Sequence, residues 1–312
     1  MRRMWGEKPY YSFDYYLKEQ FGEKVYKLCL NGGMTCPNRD GKIGFGGCSF
    51  CSAGGSGDFS APAILSIPEQ IEFEKKSLQK KVPARKFIAY FQAFTNTYGS
   101  VDYLRKIYSQ AMDVPDVVAV SVATRPDELD QDVVDLMREL SERKPIWVEL
   151  GLQTIHEETA RNIRRGYELP CYEDALDRLS EAGIPVITHV ILGLPGETEE
   201  MMLETVRYLN TTKTAGVKLQ LLHVLAGTDL AADYEAGKFE VLSEDAYVDL
   251  VCKCVGNLSP NLVIHRLTGD GPSDSLIAPK WSTAKMTVLN KIHHRLKTSY
   301  IYQGSLLPEG EG

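Results

Sequence analysis

Short apolar runs alternating with amphipathic helical stretches constrain this chain more than any other feature, because a parallel sheet with crossover helices requires that alternation. Runs at 25–30, 87–91, 117–122, 146–151, 186–192 and 217–224 are rich in Val, Ile and Leu without strict alternation. Strands buried on both faces read this way. Helical signals lie between them. Ser66-Ile67-Pro68-Glu69 is a capping-box start with proline in the first turn, leading into a helix over 70–80. Val133, Val134, Leu136, Met137 and Leu140 mark one face of a helix over 132–142. A helix over 172–182 stops at Gly183 and Pro185, and another starts at Thr198 with Met202, Leu203, Val206 and Leu209 on its inner face. The expected fold is α/β, a partial (β/α)6 TIM-like barrel with a C-terminal extension. Expected boundaries are an N-terminal extension over 1–23, a barrel over 24–228, and a C-terminal extension over 229–312 with a helix over 244–257 and a short strand over 262–265.

With 43% hydrophobic and 25% charged residues, and no apolar run long enough to span a bilayer, the chain reads as a soluble globular protein with no membrane partner. Seven cysteines, an odd number, and no secretory signal point to a reducing compartment and a cytoplasmic location. The net charge of -7 does not advertise a nucleic-acid binder, and it does not exclude one, since polyanion binding depends on local patches.

Cys36, Cys48 and Cys51 fall within one glycine-rich loop after the first strand. Three thiolates are one short of a closed tetrahedral site, and an open position is what a site that does chemistry keeps for substrate. Thiolate ligation selects soft partners, zinc or an iron-sulfur cluster, over magnesium, calcium or manganese. A structural zinc site completed by a remote ligand is the competing reading, since Cys-x-x-Cys is the usual zinc half-site. The other cysteines give that reading little help. Cys29 lies within the first strand, Cys171 opens a helix, and Cys252 and Cys254, two apart on a helix, point to nearly opposite faces and read as buried small hydrophobes. Ligands of parallel α/β folds bind at the carboxyl ends of the strands. There this chain places the cysteine loop, Gln92 to Thr97, Thr124 to Asp127, Gln153, and Gly193 to Glu197.

The segment from Cys36-Pro37-Asn38-Arg39-Asp40-Gly41 to Gly46-Gly47-Cys48-Ser49-Phe50-Cys51 resembles the cluster loop of radical S-adenosylmethionine (SAM) enzymes. It is similar to the branch with a long first spacing that includes the elongator catalytic subunit and a group of bacterial relatives. Thr124-Arg125-Pro126-Asp127, Glu149 to Thr154, Arg165-Gly166-Tyr167 and Gly193-Leu194-Pro195-Gly196-Glu197 recur in that order in the same branch. The resemblance implies a radical SAM barrel in which Cys36, Cys48 and Cys51 hold a [4Fe-4S] cluster and leave one iron for the amino and carboxylate groups of SAM. Reductive cleavage of SAM then gives a 5′-deoxyadenosyl radical that abstracts hydrogen from substrate. It also implies an electron donor such as flavodoxin or ferredoxin.

By the same resemblance, Phe50 packs near the cluster and the adenine, Gln153 and Arg165 bind the methionyl part of SAM, Glu149 accepts from the ribose hydroxyls, and Gly193 and Gly196 let backbone approach the adenine edge. Two departures stand out. Where many members carry Gly-Gly-Glu for the SAM amino group, this chain has Gln92-Ala93-Phe94, so Gln92, Thr95, Asn96 or backbone carbonyls must remake that contact. Elongator-type relatives place Glu before Thr-Arg-Pro-Asp, where this chain has Ala123.

Residues 275–308 hold Lys280, Lys285, Lys291, Arg295 and Lys297 with His293 and His294, interleaved with Trp281, Tyr300 and Tyr302, and the next acid after Asp274 is Glu309. Cations for phosphates and rings for bases are what an RNA surface needs. The plainer alternative is a solvated helix face packed on the barrel. The elongator relatives act on the wobble uridine of transfer RNA, so the resemblance implies a tRNA uridine as substrate. A radical SAM enzyme on a porphyrin-like or carboxylated metabolite, and a zinc-stabilised binding protein, are the alternatives.

Overall fold

The computed structural model describes residues 4–269 and 271–308; residues 1–3 of the expected N-terminal extension, Asp270 and Glu309 fall outside them. The first half of the chain forms α1 (Phe13–Phe21), β1 (Val25–Leu30), α2 (Ile67–Gln79), β2 (Lys86–Phe91), α3 (Val101–Met112), β3 (Val117–Thr124) and α4 (Gln131–Ser141). There follow β4 (Ile146–Gln153), α5 (Glu157–Asn162), α6 (Leu169–Glu181), β5 (Val186–Leu192), α7 (Glu199–Tyr208) and β6 (Gly216–Leu221). The C-terminal part adds β7 (Val224–Leu225), α8 (Asp229–Glu235), α9 (Glu244–Asn257), β8 (Val263–Arg266), β9 (Leu276–Ala278) and α10 (Lys285–Thr298). These elements fall into two compact units, Leu17–Gly151 with Gly166–Val186, and the remainder of the described chain.

In the first unit β1, β2, β3 and β4 pair in parallel in chain order, in registers that run from Val25↔Lys86 to Thr124↔Leu150. The two faces of this sheet differ in chemistry. Leu28, Leu30, Phe87, Phe91, Val120, Val122, Val148 and Leu150 point one way and are buried. Helices supply their partners: Phe91 meets Tyr108 of α3 edge-on at 5.0 Å, and α4 buries the apolar face read from its periodicity. The opposite face carries Lys27, Cys29, Tyr90, Gln92, Ser121 and Glu149. The strands are therefore buried on both sides, as their composition implies, with the charged residues Lys27 and Glu149 on one side.

In the second unit β5, β6 and β8 are parallel neighbours, and β7 pairs antiparallel with β9. The strand expected over 217–224 is two strands: β6 ends at Leu221, and Val224–Leu225 turns away to pair with β9. Hydropathy ran on through Leu222 because both pieces are buried. The entering chain lies beside β8, where Ile264 N donates to Tyr11 O at 2.8 Å. Helix α9 buries Cys252 and Cys254 as the sequence implies, and α10 packs against it through Val288, Ile292 and Leu296. No helix among the described residues is long and apolar enough to cross a membrane.

Ser100 caps helix α3, its side chain accepting from Tyr103 N, and the helix buries Leu104, Ile107, Tyr108 and Ala111. Leu104 is wholly buried. Leu104→Ala is expected to cost about 2–5 kcal/mol and Ser100→Ala about 1 kcal/mol. Urea unfolding curves of the two variants check that order.

Candidate active site

The cysteine loop has neither helix nor strand between β1 and α2 apart from one bridge, Asp40↔Phe45, so turns and side chains must satisfy its backbone. Arg39 N and Asp40 N donate to Cys36 O at 2.8 and 3.3 Å, and Cys51 N donates to Cys48 O at 3.0 Å. Gly47 N closes back on Asn38 O at 2.8 Å. Arg39 ties the two ends of the motif together, its Nη2 donating to Cys51 O at 3.1 Å and Ser52 O at 2.5 Å. Gly47 makes room for that arginine: its φ is +86°, and a Cβ there would lie 2.8 Å from Arg39 Nε.

Cys36, Cys48 and Cys51 are free thiols, each half-buried, with Phe50 half-buried between the last two. Burial pushes the Cys48 thiol up to about 12, the charges of Cys51 and Cys36 add to this, and the Arg125 guanidinium and the Asn38 amide oppose it. Asn38 Nδ2 points at Cys48 Sγ, 3.6 Å away. Among the described residues no three His, Cys, Asp or Glu side chains close around one point as they do at a single ion. Three thiolates are a soft donor set suited to iron or zinc, and they are one ligand short of a closed tetrahedral zinc site.

The ends of the neighbouring strands complete this unit's polar face. Glu149, 1% exposed, accepts from Lys27 Nζ at 2.5 Å and from Ser121 Oγ at 2.7 Å. The Lys27 ammonium also lies 4.4 Å from the centre of the Tyr90 ring. Gln92 is half-buried and donates through Nε2 to Ser56 O at 2.7 Å. Asn96 and Thr97 are built into the fold, Asn96 Nδ2 donating to Phe91 O and Ala123 O, and Thr97 Oγ1 bonding Thr124 Oγ1. Arg125, at the end of β3, pairs with Asp127 and lies over the Tyr167 ring.

The second unit holds the remaining candidates. Gln153 ends β4 in the left-handed region, with φ +67°, a conformation that costs a non-glycine residue about 1–3 kcal/mol. Its Oε1 is buried and makes no hydrogen bond within the described chain. Arg165, 1% exposed, accounts for the backbone on either side: Nη1 donates to Leu152 O at 3.0 Å and Thr154 O at 2.7 Å, and Nη2 donates to Glu157 Oε1 at 3.1 Å. Thr154 Oγ1 donates to Glu197 Oε1 at 2.5 Å, tying the end of β4 to the turn after β5. Burial raises the Glu197 carboxyl above its ordinary value, and that hydrogen bond works against the rise. In the same turn Gly193 and Gly196 have φ values of +89° and +85°.

Each unit, then, carries polar groups at its strand ends, with the three thiols on a loop of one unit and Gln153 at a strand end of the other. Residues 36–209 match the family model of the Radical SAM superfamily, and residues 214–298 match the Radical_SAM C-terminal domain. The chain belongs to the radical SAM superfamily. It is 46% identical over 298 residues to YtqA of Bacillus subtilis, covering 96% of this chain and 92% of that protein. Elongator complex protein 3 of Saccharomyces cerevisiae is 28% identical over 169 residues, which span 53% of this chain and 30% of that one. A solved structure of Methanocaldococcus infernus Elp3 lacking its N-terminus matches with a TM-score of 0.67 at 17% identity, over 89% of this chain and 64% of that chain. At that identity the likeness is one of fold. The expected α/β fold of the radical SAM type and the elongator-like branch are both borne out, and the cofactors of this radical SAM family are a [4Fe-4S] cluster and SAM.

Sequence reasoning missed Lys27 and Arg39. Lys27 had a signal, a lone cation inside an apolar strand; Arg39 had none beyond its place in the cysteine motif. Removing the cation takes away the charge that answers the buried carboxylate, so Lys27→Met is expected to destabilise by about 3 kcal/mol, and Lys27→Met with Glu149→Leu by much less. Chemical denaturation of the two single variants and the double variant checks this.

Proposed function

We propose that this radical SAM enzyme binds its cluster through Cys36, Cys48 and Cys51 and acts on a uridine of transfer RNA. The observation that carries the first part is the set of three free, half-buried thiols on one glycine-braced loop, each in electrostatic reach of Cys48 or at it. When bound, the cluster supplies the electron for reductive cleavage of SAM, and a low-potential carrier such as flavodoxin or ferredoxin supplies it in turn.

The chain's own residues bind, orient and exclude water. Phe50 shields the thiol loop. The Ser56 carbonyl orients the Gln92 amide, whose Oε1 is the acceptor offered where other members use a carboxylate for the SAM ammonium. Gln153 Oε1 is a buried acceptor with no donor among the described residues, which fits a cofactor ammonium or hydroxyl. Arg165 spends its guanidinium on the carbonyls around Gln153, so in this reading it serves SAM by holding Gln153 in its left-handed conformation. The turn with Gly193 and Gly196 gives backbone access to an adenine edge.

For the substrate, support comes from the elongator branch and from the exposed Lys297 and Tyr300 at the end of α10, Tyr300 being 80% exposed. The rest of the basic segment is largely committed to the fold. Lys291 pairs with Glu244 at 2.7 Å, Arg295 pairs with Asp249, Trp281 Nε1 donates to Leu242 O, and His293 Nε2 lies 3.0 Å from Tyr10 Oη. That neutralisation by α9 confines any RNA contact on this helix to its exposed end, and a small carboxylated metabolite is the second reading it leaves.

Cys36→Ser, Cys48→Ser and Cys51→Ser are each expected to abolish iron and sulfide loading and the visible charge-transfer band of the anaerobically reconstituted protein. A wild-type protein that holds zinc and no iron would falsify the cluster assignment. For the substrate, nucleosides from tRNA of cells lacking the gene are compared with those of cells complemented by wild type or Cys51→Ser. A changed uridine side chain, restored by wild type alone, is expected; identical profiles overturn the tRNA reading. Lys297→Ala is expected to lower the slope of log affinity for tRNA against log salt by roughly 1, and an unchanged slope removes α10 from the grip.

A further inference from the structure

Arg125 is held more firmly than a solvated cation needs. It is 8% exposed at the end of β3, with Nε donating to Asp127 Oδ1 at 2.9 Å and Nη2 to Asp127 Oδ2 at 2.7 Å. Its guanidinium carbon lies 4.9 Å from the centre of the Tyr167 ring. The ring is itself anchored, since Tyr167 Oη donates to Gly151 O at 2.9 Å. One edge and one face of the cation are thereby fixed by Asp127 and Tyr167.

Gly166 places this cation against the cysteine loop. A Cβ on Gly166 would lie 3.2 Å from Arg125 Nη2, 3.5 Å from Ile43 Cγ2 and 3.7 Å from Asn38 Cγ. The Asn38 amide in turn points at Cys48 Sγ from 3.6 Å. Guanidinium, glycine, amide and thiol adjoin in turn, so the cation stands beside the cysteine loop. A Cβ at Gly166, where φ is +85°, would crowd Arg125 Nη2 while meeting Ile43 and Asn38 of the loop at ordinary contact distance. The Thr-Arg-Pro-Asp and Arg-Gly-Tyr motifs, far apart in sequence, thus assemble one cradle beside the loop.

A three-cysteine cluster gains one negative charge when it accepts an electron, and its reduction potential follows the net charge and hydrogen bonding around its sulfurs. An arginine cannot shed its proton to escape a low-dielectric site, so its charge is permanent there. We propose that Arg125, cradled by Asp127, Tyr167 and Gly166, is a positioning residue that fixes a permanent positive charge beside the cluster loop and raises the cluster's reduction potential. The proposal rests on the reading of Cys36, Cys48 and Cys51 as cluster ligands. Asp127 has a definite part in it: the carboxylate orients the cation and partly offsets its charge.

The test is the midpoint potential of the full-length protein, reconstituted anaerobically and titrated with dithionite while the reduced-cluster EPR signal is recorded. Arg125→Gln is expected to shift the potential to more negative values and Asp127→Asn to more positive ones, with iron content unchanged. Arg138→Gln, an exposed arginine on α4 paired with Asp135, is expected to leave it in place. Opposite signs at Arg125 and Asp127 are what a purely structural role does not produce. Potentials equal to wild type in both variants, or shifted in the same direction, overturn the proposal. If Arg125→Gln loads no iron, Asp127→Asn alone decides, and a shift that is absent or negative overturns it. A wild-type protein that loads no iron overturns the cluster reading itself and is distinguished by that from a failure at Arg125.

Discussion

The carboxylate of Glu149, buried in the middle of a parallel sheet, is the constraint on which the first unit is organised. A lone ionised carboxylate there would cost several kcal/mol or take up a proton, and the sheet answers it from within instead. Lys27 on β1 and Ser121 on β3 do so, and the Tyr90 ring on β2 faces the same ammonium. All four strands therefore contribute to one polar network, and a slip of register by one residue would turn its members to the wrong face. That network makes one side of the sheet hospitable to polar ligands. The other side is left to Leu28, Phe87, Phe91, Val122 and Leu150, which pack under the helices.

Above that sheet, the cysteine loop shows how a segment with almost no regular structure is kept in place. Its carbonyls and amides are used locally, Arg39 bridges the beginning and the end of the motif, and Gly47 supplies both the left-handed turn and the space the arginine fills. The Arg39 guanidinium lies 5.7 Å from the centre of the Phe94 ring, and Phe94 N donates to Gly55 O at 2.8 Å, so the end of β2 is part of the brace. A loop fixed in this way offers its thiols with little ordering left to do, which is the general condition for strong binding.

In the second unit the organising contact is Arg165 on the two carbonyls that flank Gln153. A left-handed glutamine with a buried acceptor lacking a donor is an unfavourable local state, and the ion pair and hydrogen bonds of Arg165 hold it there. The hydrogen bond from Thr154 to Glu197 joins that strand end to the glycine-rich turn after β5. Rigid support beneath a strained, incompletely satisfied group is what a preorganised binding site requires.

The sequence by itself determined the α/β class, the places of the main strands, the cysteine loop and the motifs at the strand ends, because these follow from hydrophobic periodicity and from residue types set close together along the chain. The break after Leu221 escaped it, since burial continues through both pieces and hydropathy does not register a change of pairing partner. Which cations stay available was also beyond it: Lys291 and Arg295 stand in an acid-free segment, yet Glu244 and Asp249 on α9 neutralise them. The same holds for Lys27 with Glu149 and for Arg125 with Tyr167, partners separated by long stretches of chain. Tertiary structure alone decided these pairings, for the physical reason that the strength of a buried charge depends on what faces it in space, and residue identity along the chain does not specify that.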